Sequence, residues 1–235
     1  MAPQDISVDY CRFAVLGYAR TGSNYLRRHL GRIDSVTMHG EVFAGHQRTK
    51  GAEFEEIWRG VFGDQPRETR AVGFKLFYHH LTPDEWETVL HDRELSVIHL
   101  LRRNRLRILT SLDIALATDR WLESDKHTRT HEPVTVRIDP ETIVDRIEQI
   151  ARLENSAREN MCRHSYMELY YEEMVLDPRK EIGRALSFLG IERSISNEEV
   201  GLRRQNPNPL SETIENFDEI ACVLSGTEYE EYLAG

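Results

Sequence analysis

The sequence predicts an α/β fold, a single domain with a central parallel sheet flanked by helices. Three observations carry this expectation. Short apolar runs of buried-strand character alternate with stretches of helical spacing, the pattern of parallel strands joined by helical crossovers. Several of the helical stretches open on a cap residue followed by proline. The chain has 235 residues, enough for one domain with a substantial core, whereas two domains would each be small.

The elements follow in chain order. RFAVLGY (12–18) reads as a buried strand. It runs into ARTGSNYLRRHLG, where Leu26 and Leu30 share a helical face and Gly31 suits a C-terminal cap. VTMHGEVF (36–43) reads as a short strand and turn, and AVGFKLFYHH (71–80) as a second buried strand. Thr82-Pro83-Asp84-Glu85 combines an N-cap, a proline at the first helical position and a capping-box glutamate. LSVIHLLR (95–102) is a third strand, followed by a helix to about Trp121. Asp139-Pro140 and Asp177-Pro178 mark two more helix starts, and Gly190 ends the second of these helices. MELYYEEM (167–174) reads as the last strand. The long polar stretch 123–139 lacks a period and is expected to be a mobile surface loop.

Composition narrows the function. With 40% hydrophobic and 30% charged residues the chain is too apolar for disorder and too polar for a membrane protein. No apolar run approaches the ~20 residues that span a bilayer. A net charge of -10 disfavours nucleic acid and anionic membranes as partners. The basic residues are nearly all arginine, lysine standing only at Lys50, Lys75, Lys126 and Lys180. Cys11, Cys162 and Cys222 are odd in number and far apart, which excludes a disulfide framework and disfavours structural zinc. The N-terminus has no basic segment followed by a long apolar one, so a soluble, reducing cytoplasm is the expected location.

The most informative segment is Gly17-Tyr18-Ala19-Arg20-Thr21-Gly22-Ser23-Asn24, which follows a strand and opens a helix. Backbone N–H groups at such a helix start bind anions. Gly22 lets the backbone approach closely, Thr21 and Ser23 add hydroxyls and Arg20 adds charge. The G-x-x-x-x-G spacing matches a Walker A loop, but Ser23-Asn24 stands where that loop carries Lys-Ser/Thr. An ATPase or GTPase is therefore disfavoured, and so is the need for a metal. A second anion-binding pattern lies at the end of the third strand. Arg103 precedes Ser111 by eight residues, just over two helical turns, with Arg102, Arg105 and Arg107 alongside. Two phosphate-type sites at strand C-termini point to one nucleotide ligand.

These segments resemble the sulfotransferases that use 3'-phosphoadenosine 5'-phosphosulfate (PAPS). GYARTGSNYL is similar to their 5'-phosphosulfate loop, and LLRRNRLRILTSL to their 3'-phosphate motif. MELYYEEMVLDPRKEIGRALSFLGI is similar to a later tyrosine-glutamate segment. HGEVF, the arginine form of the loop and the tail NPLSETIENFDEI resemble the bacterial carbohydrate sulfotransferases of the trehalose and nodulation-factor type. The resemblance runs from about Phe13 to Tyr232. It implies a P-loop-like sulfotransferase fold with PAPS as co-substrate and 3'-phosphoadenosine 5'-phosphate (PAP) as product. It places Arg20, Thr21, Gly22, Ser23, Asn24 and Tyr25 on the 5'-phosphosulfate, Arg103 and Ser111 on the 3'-phosphate, and Tyr171 beside the adenine. Arg203 and Arg204 stand where other members carry an Arg-Lys-Gly clasp, though the glycine is missing.

Transfer to an alcohol requires a general base, charge stabilisation on the leaving phosphate and positioning for in-line attack. Arg20 suits the phosphate. Lys75, in an apolar strand, requires an anionic partner and can assist. Glu41 in HGEVF is the first candidate for the base, as the resemblance also implies. His39, His79 and His80 are its rivals; adjacent residues at a strand end point to opposite faces, so at most one of His79 and His80 faces the site. The expected acceptor is a hydroxyl of a carbohydrate or related small metabolite, with Phe43, Tyr78, Trp121 and 123–139 as candidate walls. A P-loop kinase and an inactive nucleotide-binding module are the competing readings, and the sequence leaves the oligomeric state open, a homodimer included.

Overall fold

The structure is a computed structural model that describes residues 9–48, 52–119, 134–192 and 208–234. These fall into two compact units. The first comprises the described residues within 9–101 and 154–192, the second those within 102–153 and 208–234.

The first unit contains the sheet. Its strands are β1 (Cys11–Gly17), β2 (Val36–Met38), β3 (Ala71–Phe77), β4 (Leu95–Leu101) and β5 (Tyr166–Tyr170). All neighbours pair in parallel, in the order β2-β3-β1-β4-β5. β3 and β4 are buried along their whole lengths, as strands covered on both faces require. On one face, α1 (Ser23–Leu30), α7 (Tyr171–Leu176) and α8 (Pro178–Phe188) pack Leu26, Leu30, Met174, Ile182 and Leu186 against Phe13, Val15, Ile98 and Leu100. On the other, α3 (Phe54–Val61), α4 (Pro83–His91) and the end of α6 (Ile143–Met161) cover Ala14, Leu16, Val72, Phe74, Leu76 and Val97. A short α2 (Gly45–Arg48) precedes α3. Phe43, Phe54, Trp58, Phe62 and Phe74 form one aromatic cluster, with ring centroids 5.0–6.4 Å apart.

The second unit holds α5 (Arg105–Thr118), the start of α6, α9 (Leu210–Thr213), α10 (Phe217–Leu224) and a closing 3-10 helix (Glu230–Ala234). Arg146 forms a two-pronged pair with Asp113, at 2.6 and 3.0 Å. Asn216 donates to the Ile138 carbonyl and accepts from the Ile138 amide, which pins 136–138 beside Ile214.

The helix signals behave as their chemistry dictates, with two exceptions. Thr82 and Glu85 form the full capping box, and Asp177 caps α8 through the Lys180 amide. Asp139-Pro140, expected to open a helix, instead makes a turn: Asp139 accepts from the Glu141 amide and the Thr142 hydroxyl, and α6 starts at Ile143. Its carboxylate found a local backbone partner first. MELYYEEM is strand only to Tyr170; from Tyr171 it is α7, whose first turn carries Glu172 and Glu173 against the positive helix end. The helix expected to run to about Trp121 ends at Thr118, with Asp119 in a left-handed cap at φ 54°, while Trp121 itself and most of the 123–139 loop lie outside the described residues.

Candidate active site

β1 ends at Gly17, where a Cβ would stand 2.6 Å from the Leu100 carbonyl oxygen of β4; only glycine lets the strands run this close at the loop entrance. The chain then turns through two left-handed residues, Arg20 at φ 68° and Gly22 at φ 95°. For arginine that conformation is strained, the kind of strain that concentrates at ligand sites. Thr21 is buried and donates its hydroxyl to the Tyr18 carbonyl, 2.8 Å away, so its side chain closes the loop. Gly22 begins α1 with no side-chain cap, and no acidic residue stands in the first turn. By contrast α3, α4, α7, α8 and α10 all carry carboxylates there. The positive end of α1 is thus left without an anion of its own.

Tyr171 lies over this loop: a Cβ on Gly22 would meet its ring at 2.4 Å. Burial holds the Arg20 guanidinium below its ordinary pKa, and Tyr171 partly offsets this. Tyr25 has its pKa raised by burial and then by the nearby Tyr171. Its ring sits 4.4 Å from that of His29 and packs on the core beneath α1.

The catalytic candidates converge on Lys75. This side chain is 2% exposed in the middle of β3, and its Nζ donates to Asn24 Oδ1 and Glu41 Oε1, both at 2.7 Å. The partner that an apolar strand demanded for its lysine is therefore Glu41 itself. Asn24 ties the pair to the first turn of the phosphate loop's helix. Burial lowers the Lys75 pKa, the Glu41 contact opposes this, and the charges of Arg27 and Arg20 add to the lowering. Glu41 keeps its second oxygen, Oε2, outside the Lys75 contact, 4.0 Å from His80 Nε2.

Both adjacent histidines feel the Glu41 charge, and His80 is the one whose Nε2 stands 4.0 Å from its Oε2. His79, named from the sequence as a catalytic candidate, is exposed at the strand end. His80 is buried and accepts the Phe77 amide on Nδ1 at 3.1 Å. That bond leaves the proton on Nε2, facing Glu41. Burial, then the neighbouring His79, lowers its pKa to about 4, so it is uncharged at neutral pH. With one nitrogen occupied and the other protonated, His80 has no lone pair for a substrate proton. His39 is also held neutral, by burial and by the Arg27 charge.

In the second unit, Arg103 is exposed at the entry to α5 and Ser111 is buried about two turns in. The rest of the arginine cluster has structural partners. Arg105 donates to the Tyr232 hydroxyl and Arg107 to the Asn208 carbonyl, both at 2.8 Å; Asn104, which caps α5, also donates to the Tyr232 carbonyl. Arg203 and Arg204 lie outside the described residues.

A family model described as "Sulfotransferase domain" matches residues 12–206, from the first strand through both anion-binding motifs. The chain belongs to the PAPS-dependent sulfotransferases. Among curated relatives, Nodulation protein H from Rhizobium tropici is 22% identical over 233 residues, covering 94% of this chain and 92% of the relative. Nodulation protein H from Rhizobium meliloti is 25% identical over 241 residues, covering 94% of each. Among solved structures, a sulfotransferase from Alicyclobacillus acidocaldarius superposes with a TM-score of 0.54 at 15% identity over 97% of each chain, which supports the fold. Among the described residues of this sulfotransferase, no helix is long and apolar enough to cross a membrane. No group of three or more His, Cys, Asp or Glu side chains is placed to hold a metal ion there either.

Proposed function

We propose that the enzyme transfers the sulfuryl group of PAPS to a hydroxyl of a carbohydrate or related small metabolite, with Glu41 as general base. The observation that carries this is the buried Lys75 ammonium, shared at 2.7 Å between Asn24 of the phosphate loop and Glu41. It links the anion-binding element and the base through one cation.

The loop amides and Arg20 bind the 5'-phosphate end of the donor and meet the charge left there. Glu41 Oε2 accepts the proton of the acceptor hydroxyl. The acceptor oxygen bonds to sulfur as the bond between sulfur and the bridging oxygen breaks, so PAP leaves with that electron pair. Once protonated, Glu41 pairs less strongly with Lys75, and the ammonium turns to the sulfuryl oxygens. Neutral His80 offers Nε2–H to Glu41. Arg103 and Ser111 are assigned to the 3'-phosphate, joined by Arg203 and Arg204, and Tyr171 to the adenine. The carbohydrate reading rests on the nodulation-factor-type motif HGEVF and on the full-length match to the Nodulation protein H relatives.

The test is transfer from labelled PAPS to a panel of sugars, lipids and phenols, with thermal shift as the binding control. PAP should raise the melting temperature in EDTA, since a ligand of the folded state alone stabilises it. Sulfated sugar should form. Stabilisation by magnesium-ATP with none by PAP would refute the reading.

A further inference from the structure

We propose that Arg27, with His39, forms an anchoring subsite for an anionic substituent of the acceptor, so that the preferred acceptor is a carboxylate-bearing sugar. The inference rests on the reading of Glu41 as base and extends it to substrate class.

Arg27 follows Asn24 by three residues on α1, hence lies on the same face one turn further from the phosphate loop. Asn24 on that face holds Lys75 and, through it, Glu41. Arg27 lies over the segment that carries Glu41: a Cβ on Gly40 would stand 3.9 Å from Arg27 Nε. Its charge is felt by both Lys75 and His39.

Arg27 Nε is sealed from solvent and has no hydrogen-bond partner; His39 Nε2 is in the same state. Four buried or half-buried arginines are matched to carboxylates, Arg12 to Asp92, Arg48 to Glu85, Arg146 to Asp113 and Arg158 to Glu168, and Arg107 is held by the Asn208 carbonyl. Arg27 has no carboxylate among the described residues. Because a sealed atom cannot touch a ligand, the contact falls to the outer, half-exposed end of the guanidinium, whose charge no carboxylate offsets. The loop amides and Arg20 already answer the donor's phosphate, which leaves Arg27 to the acceptor. A planar guanidinium fork fits a carboxylate through two parallel bonds, and neutral His39 beside it adds a polar contact without a second charge.

The test uses the full chain, first titrated with PAP and then, at saturating PAP, with D-glucuronate and with D-glucose by calorimetry. The wild type should bind glucuronate more tightly than glucose. Arg27→Gln should weaken glucuronate by roughly 10- to 100-fold, the loss of a charge-assisted pair. Glucose and PAP affinities should stay within about two-fold, and Arg27→Lys should recover part of the loss. His39→Asn should weaken glucuronate by a few-fold. Equal binding of the two sugars, no glucuronate binding, or glucuronate binding indifferent to Arg27→Gln would overturn the subsite. Parallel loss of PAP binding would make Arg27 a donor contact and overturn it too. Arg27-dependent glucuronate binding in a protein that never binds PAP would keep the subsite and remove the sulfuryl-transfer reading.

Discussion

Replacing Gly22 with alanine tests how the phosphate loop and Tyr171 are built together. Two separable costs follow from the structure. The backbone at Gly22 has φ 95°, where an L side chain is strained by about 1–2 kcal/mol. The new Cβ would also stand 2.4 Å from Tyr171 Cδ2 and 3.1 Å from Cε2, a clash relieved only by moving the ring. Overpacking of this kind costs a further ~1–3 kcal/mol. Gly22→Ala should therefore destabilise by roughly 2–5 kcal/mol, measured by urea unfolding. In a Tyr171→Ala background the ring is gone and only the backbone cost of ~1–2 kcal/mol should remain. PAP binding should weaken in Gly22→Ala, because both the loop and the tyrosine shift. The same loss of stability in both backgrounds would refute the proposed contact; a loss below about 1 kcal/mol in the wild-type background would refute the strain as well.

Two further perturbations address the histidines and the second anion motif. His80 and His99 are both held near pKa 4, chiefly by burial, against ~6.5 in an unfolded chain. Their depressed folded values stabilise the protein fully above pH ~6.5, and that stability is lost as pH falls toward 4. Unfolding free energy at pH 5 should be lower than at pH 7 by about 2 kcal/mol per histidine, and His80→Gln should remove one of the two shares; an unchanged pH slope in that variant would contradict the assignment. Arg103→Ala should weaken PAP by about 10- to 100-fold in calorimetry while leaving adenosine 5'-phosphate nearly unaffected; equal weakening of both would make Arg103 a fold residue.

Much of the sheet was legible because its strands are buried on both faces. RFAVLGY, AVGFKLF and LSVIHLL are near-continuous apolar runs, and that signal survives without knowledge of neighbours. Helix starts were legible where the cap chemistry is local, at Thr82 and Asp177, and misleading at Asp139, where the same chemistry closes a turn. α3 escaped notice although Phe54, Ile57, Trp58 and Val61 have helical spacing. The site was legible as a set of residues and illegible as a set of contacts. Asn24, Lys75 and Glu41 were each singled out, but their hydrogen bonds join positions 34 and 51 residues apart, which only the fold brings together. The choice of His80 over His79 depends on a one-residue change of direction after β3, and no local signal distinguishes the two. His99 left only a faint trace, one polar residue in an apolar strand. It lies between the Tyr78 and Tyr166 hydroxyls, 2.5 Å from each, a chain continued by Tyr166 donating to Glu168.

Glu41 as the group that takes the acceptor's proton is the claim on which the mechanism turns, and Glu41→Gln tests it. The amide keeps the size of the side chain and an oxygen for Lys75 but cannot accept a proton. Single-turnover sulfuryl transfer from labelled PAPS should fall by about 10²–10⁴-fold. PAP affinity should stay close to wild type, because the nucleotide contacts lie in other motifs, while the melting temperature should fall, because the buried Lys75 ammonium loses its anionic partner. His39→Asn, His79→Asn and His80→Asn, assayed alongside, should each cost far less. A folded Glu41→Gln enzyme that binds PAP and transfers within a few-fold of wild type would contradict the account.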